Sequence, residues 1–156
     1  MLRIVAAKPE DTPLILELIH GLAEYERANP EDVPVDEATL RESLFGPRPA
    51  AEVLLALEDG IAVGFAVFFH NFSTWMGRRG VYLEDLFIKP EFRRRGYGTA
   101  LLRELGRIAR ERGCARFDWS VLDWNTPAIN FYKGLGAVPM EEWTTYRLQG
   151  SALEKL

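Results

Sequence analysis

Residues Tyr82 to Ala100 read YLEDLFIKPEFRRRGYGTA, and this stretch decides the fold. Leu83, Leu86, Phe87 and Ile88, with Val81 just before them, are the β-favouring or apolar residues of a buried strand. Pro90 has no N–H to give a ladder, so the strand ends near it. Gly96 and Gly98 straddle Tyr97 just before a long helical pattern. Glycine accepts positive φ and lets main-chain N–H groups approach a ligand closely. A helix start has unpaired N–H groups and the positive end of a dipole, so it attracts phosphate. Arg93, Arg94 and Arg95 add cationic charge beside it. A pyrophosphate-bearing ligand at residues 94–99 is the first expectation. A solvated arginine run beside a glycine-rich turn is the other reading of the same residues.

Two commoner phosphate loops are excluded. A P-loop needs Gly-Lys-Ser/Thr, which the chain lacks. A dinucleotide fingerprint needs a third glycine where Leu101 stands. The 156 residues fit one domain, 1–156, with its own core. With 47% hydrophobic and 27% charged residues, the composition argues against disorder. No apolar run approaches the ~18 residues of a membrane span, and the N-terminus has no secretory signal. Cys114 is the single cysteine, so no intrachain disulfide forms and a cytoplasmic location is expected. The net charge of −4 gives no reason to expect nucleic acid. Residues 1–80 are acidic in balance and residues 81–156 basic, which suits a cationic substrate and an anionic cofactor.

Taken outward from the opening stretch, the chain reads as an α/β domain with a mixed sheet. Leu2 to Ala7 form a strand. Pro9 opens a helix that carries Ile15, Leu18, Ile19, Leu22 and Tyr25 on one face and runs to about Ala28. Asp36 caps a short helix through Phe45, closed by Gly46-Pro47. Ala51 to Leu57 and Ile61 to Phe69 are strands joined at Asp59-Gly60, a strong hairpin signal. Asn71 to Gly80 is expected as a loop with an exposed Trp75. Thr99 to Arg112 is a helix, with Leu101, Leu102, Leu105, Ile108 and Ala109 facing inward. Ala115 to Leu122 is a strand, Thr126 to Gly134 a short helix, and Ala137 to Leu148 a final strand or strand pair.

A second constellation lies between those last elements. Asn125 and Thr126 are good N-caps and Pro127 suits a first turn. Tyr132 follows Asn125 by about two helical turns, so both can project towards one cleft. A phenol with a pKa near 10 can protonate a leaving thiolate. On its own Tyr132 reads first as a structural aromatic, and Phe131 reads as core.

Arg93-x-x-Gly96-x-Gly98 after one strand, then Asn125-x-Pro127-Ala128-x-x-Phe131-Tyr132 after the next, resembles the GNAT superfamily of N-acetyltransferases. Within it the chain is most similar to the diamine acetyltransferases, of the spermidine/spermine and thialysine types. That likeness rests on Leu22-Ala23-x-Tyr25-Glu26, Val63-Gly64-Phe65-Ala66, Tyr82-Leu83-Glu84-Asp85-x-Phe87 and Trp124-Asn125-x-Pro127-x-Ile129-Asn130-Phe131-Tyr132-Lys133. It covers nearly the whole chain. The segment Pro139 to Trp143 departs from the pattern by being shorter than in the polyamine enzymes.

The resemblance implies a GNAT fold, a mostly antiparallel sheet flanked by about four helices, and acetyl-CoA as co-substrate. It implies that Leu86, Phe87 and Ile88 offer backbone groups to the pantetheine arm. Arg93, Arg94, Arg95, Gly96, Tyr97, Gly98 and Thr99 would hold the pyrophosphate, and Asn125, Pro127 and Ala128 the other side of the cofactor. Tyr132, near the sulfur, would be the general acid and Glu84 the base. Tyr25, Glu26, Glu84, Asp85, Asp118, Trp119, Ser120 and Glu142 resemble positions for an amine substrate. A homodimer is expected from the resemblance alone, with transfer direct in a ternary complex. An alkyl amine near pKa 10.4 is ammonium at neutral pH, so a site must bind the cation and then deprotonate it. A protein or peptide amine acetyltransferase, or a non-catalytic acyl-CoA-binding domain, stays open on the same residues. One cysteine and two separated histidines, His20 and His70, give no metal-ligand spacing. Cys114, after a helix end, reads as packing rather than as a nucleophile.

Overall fold

The computed structural model describes residues 1–156. It contains two compact units, Met1–Ser120 and Val121–Leu156. In the first unit, β1 (Leu2–Ala6), β2 (Glu52–Glu58), β3 (Ile61–Ser73), β4 (Arg78–Ile88) and β5 (Phe117–Trp119) form one sheet in chain order. The first four strands pair antiparallel, while β4 and β5 pair parallel. A parallel neighbour requires a crossover, and α3 (Tyr97–Glu111) supplies it. The mixed, mostly antiparallel sheet agrees with the sequence expectation.

Helices α1 (Thr12–Tyr25) and α2 (Glu37–Phe45) lie between β1 and β2 in the chain. The Thr12 hydroxyl donates to the Pro9 carbonyl at 2.6 Å, tying α1 to the turn that precedes it. Asp36 caps α2 by accepting from the Thr39 N–H at 2.7 Å. Ile15, Leu18, Leu22, Leu40 and Leu44 from these helices pack on Val53, Leu55, Phe65 and Phe87. Each such burial stabilises by about 1.5–3 kcal/mol. The alternate residues Leu54, Ala66 and Phe68 point to the other face and are also buried. There α3 packs with its buried Leu101 and Leu105. Gly64 on β3 is forced by close approach: a Cβ there would meet Ile88 Cδ1 at 2.4 Å and the Phe87 carbonyl at 2.5 Å.

Several boundaries differ from expectation. The Asn71–Gly80 loop is mostly strand, because Asn71 pairs with Gly80, Phe72 with Arg79 and Ser73 with Arg78. The turn is confined to Thr74–Gly77, closed by the Gly77 N–H donating to the Ser73 carbonyl and by Gly77 at φ +65°. Trp75 at its tip is exposed, as expected. Helix α1 stops at Tyr25 instead of Ala28, with Arg27 left-handed just beyond. Helix α3 starts at Tyr97, two residues before Thr99, because Gly96 can take the left-handed cap. Strand β5 is shorter than Ala115–Leu122.

In the second unit α4 (Thr126–Gly134) forms as expected, and a short α5 (Ser151–Glu154) closes the chain. The expected strand or strand pair over residues 137–148 is absent. A strand exists only where a neighbour completes its ladder, and the sheet ends at β5. Val138, Met140, Trp143, Tyr146 and Leu148 are exposed there. No helix of the chain is long and apolar enough to cross a membrane.

Candidate active site

The first part of the site is the junction of β4 and α3. Gly96 is the N-cap of α3 at φ +79°, and Arg94 is left-handed at φ +62°. Alternating handedness of this kind turns successive N–H groups to one side, the geometry of an anion nest. A fifteen-residue helix then adds its positive dipole end. Added Cβ atoms at Gly96 and Gly98 would meet nothing within 4 Å, so no side chain packs against these two residues on that side. The donor set is main-chain N–H beside arginine, which fits a diphosphate.

The three arginines have different surroundings. Arg93 donates from Nε to the Ile88 carbonyl at 2.9 Å, and its guanidinium lies 4.6 Å from the Tyr25 ring centre and 5.6 Å from that of Phe87. It therefore faces the α1 end of the sheet. Arg95 pairs with Glu58, and Arg94 is exposed. Tyr97 donates a short hydrogen bond to Glu58, which holds its phenol above the usual range. Thr99 lies half-buried in the first turn of α3.

The second part is the end of β4 itself. β5 pairs only with Val81, Tyr82 and Leu83. Beyond Leu83, residues Leu86, Phe87 and Ile88 run past the end of β5, and that side of β4 has no ladder. The register against β3 also shifts here: Val67 faces Asp85 and Phe68 faces Leu83. Glu84 is thus the extra residue of a β-bulge, which turns the strand and exposes its carboxylate.

Three carboxylates gather around that bulge. Asp85 is half-buried, and its carboxyl is pushed up to about 6 by burial, then by the Glu84 and Glu26 charges. Glu26, at the end of α1, is raised by burial and by Glu84. Burial without a cation makes these groups reluctant to ionise, so a bound ammonium would restore their charge. Tyr25 sits beside them under Arg93. Asp118 is committed to Arg116 at 3.1 Å and lies 3.5 Å from the Asn71 amide, while Ser120 Oγ is 2.9 Å from the Tyr82 hydroxyl. The Trp119 ring stacks edge-on against Phe117.

The second unit holds the remaining expected residues. Asn125 is buried and accepts from the Ala128 N–H at 3.4 Å, capping α4, with Pro127 in the first turn. Tyr132 is half-buried, its ring 5.7 Å from that of Phe131. Phe131 is 39% exposed, so it is not the core residue expected, in a helix with no buried residue. Glu142 is exposed in the segment without regular structure.

Two clusters carry no sequence signal. Glu58 reaches Arg95 and Tyr97 across 37 and 39 residues. At the far end of α3, Arg112 grips Glu52 at 2.6 and 2.9 Å and meets His70 Nε2 at 2.9 Å. Cys114 Sγ lies 3.9 Å from His70 Nδ1. Such contacts are set by sheet register, not by local motif. No group of three or more His, Cys, Asp or Glu is arranged to hold a metal.

The chain is 37% identical to thialysine N-epsilon-acetyltransferase of Sus scrofa, over 96% of this chain and 94% of that one. It is 32% identical to L-ornithine N5-acetyltransferase NATA1 of Arabidopsis thaliana, over 99% and 87%. An integron cassette protein from V. cholerae superposes with TM-score 0.80 at 28% identity, over 99% and 96%. The acetyltransferase (GNAT) family model matches residues 17–137, which span both compact units. A match of that extent, over the bulged strand, the glycine-capped helix and the Asn125 helix alike, places this chain in the GNAT family of N-acetyltransferases.

Proposed function

We propose that the chain transfers an acetyl group from acetyl-CoA to the primary amine of a small diamine, polyamine or lysine-like substrate. The observation that carries this reading is one continuous stretch, Glu84 to Thr99. It joins an exposed and a half-buried carboxylate, a strand side without a ladder and an anion nest in that order. An ammonium, an extended amide-bearing arm and a diphosphate are the chemistries that match those parts. The named relatives act on lysine-like or ornithine amines, which supports the same substrate class.

Acetyl-CoA would supply an acyl group activated as a thioester. Main-chain amides at residues 94–99 hold its diphosphate, and Leu86 to Ile88 align its arm by backbone contacts. Asn125, Pro127 and Ala128 contribute further contacts to the coenzyme. Glu26, Asp85 and Tyr25 receive the cationic amine, with Asp118, Trp119, Ser120 and Glu142 as further candidate contacts for it. Glu84 accepts the ammonium proton, directly or through water, which frees the nitrogen lone pair. A C–N bond then forms as the C–S bond breaks, and Tyr132 gives its proton to the departing sulfur. Transfer is direct in a ternary complex, with no acyl-enzyme. The protein works as a homodimer in the cytoplasm.

The test is thiol release from acetyl-CoA across a panel of spermidine, thialysine, ornithine and a lysine peptide. Turnover with a small amine supports the proposal. Turnover with the peptide alone makes it a protein-modifying enzyme, and CoA binding without turnover on any amine makes it an acyl-CoA-binding module.

A further inference from the structure

Two side chains flanking Gly96 reach back to one carboxylate. Glu58 ends β2, with its side chain only 22% exposed. Arg95 Nη1 lies 3.3 and 3.2 Å from its two oxygens, and the Tyr97 hydroxyl donates to Oε1. Arg95 also donates to the Glu91 carbonyl at 3.4 Å, and its guanidinium sits 5.2 Å over the Phe92 ring. Gly96, left-handed, is the single residue between the two tethers.

We propose that Glu58 is a positioning residue for the coenzyme, one that holds the Gly96 turn in its anion-receiving shape before the diphosphate arrives. This inference rests on residues 94–99 being the diphosphate site. Three adjacent arginines repel one another, and left-handed backbone at Arg94 and Gly96 is held against other accessible states. A half-exposed ion pair adds little to overall stability. Two bonds from one carboxylate to residues 95 and 97 instead restrict the turn between them, and a preordered loop binds more tightly. Arg95 thereby neutralises Glu58, which limits repulsion between that carboxylate and a diphosphate. A second consequence concerns Arg95. With its guanidinium committed to Glu58, it serves the anion through its main-chain N–H.

The experiment is calorimetric titration of CoA into the full-length protein, for wild type, Glu58→Ala, Arg95→Ala and the double variant. Each single change is expected to weaken CoA about tenfold, the loss of one charge-assisted bond. The double variant should be within about twofold of the weaker single, since both remove the same tether. The loss should appear in the KM for acetyl-CoA and not in kcat. Glu58→Gln keeps an acceptor for Tyr97 and should recover part of the affinity; it also serves if Glu58→Ala does not fold. Wild-type binding with unchanged or tighter binding by the Glu58 variants overturns the inference. So does full additivity, which would mean that Arg95 touches phosphate directly. No uptake by wild type overturns the diphosphate site itself, a different result from either.

Discussion

Asp85 is the residue whose charge depends most on its surroundings. Its carboxyl is raised to about 6 by burial and by two neighbouring acids, so the folded chain binds a proton that the unfolded chain releases. Stability from this residue is therefore full below about pH 4 and is lost as pH rises through 6, by about 3 kcal/mol. Asp85→Asn should raise Tm at pH 8 and change it little at pH 4, as read by thermal denaturation at both. The same variant should raise the KM for a diamine at pH 8, because the pocket loses a counter-charge. Tyr132→Phe should lower kcat by about 100-fold, within the range for a lost general acid, with little change in acetyl-CoA KM. Steady-state kinetics giving a wild-type kcat would remove Tyr132 from the chemistry. These residues stood out as candidates because each belongs to a short local pattern. Glu58 was not, because nothing near it in sequence distinguishes it from any strand-end acid.

At the level of elements, the start of α3 depends on the backbone of one glycine. Gly96 at φ +79° has room for a side chain but not the backbone preference for one. Gly96→Ala should cost about 1–2 kcal/mol, seen in chemical denaturation, and weaken CoA binding as well. The end of α2 is simpler: Asp36→Ala removes the cap on Thr39 and should cost about 1 kcal/mol without changing kcat. The Asp59-Gly60 hairpin and the inward face of α3 were readable because turn chemistry and helical period are local. The β3–β4 extension was not. Its polar run His70 to Thr74 looks like a loop until the ladder with residues 78–81 is known. Residues 137–148 failed in the opposite direction. Their apolar content suggested a strand, and only a missing partner shows that none forms.

Across the molecule, the first unit holds all of the buried apolar residues, and the second buries Asn125 alone. Leu18→Ala, in the core between α1 and the sheet, should cost about 2–5 kcal/mol. Brief digestion with trypsin or chymotrypsin should cut first between residues 137 and 149, at Trp143, Tyr146 or Arg147, with fragments identified by mass. Early cuts within β2 or β3 would contradict this distribution of order. Cys114 has a practical bearing on the whole protein. The chain's one sulfhydryl lies just past the end of α3 remote from Gly96, shielded in part by His70. Any colorimetric reagent used to follow liberated coenzyme will also titrate one slow equivalent per polypeptide. Capped beforehand, that same position drops out of the assay while leaving the opposite helix end untouched.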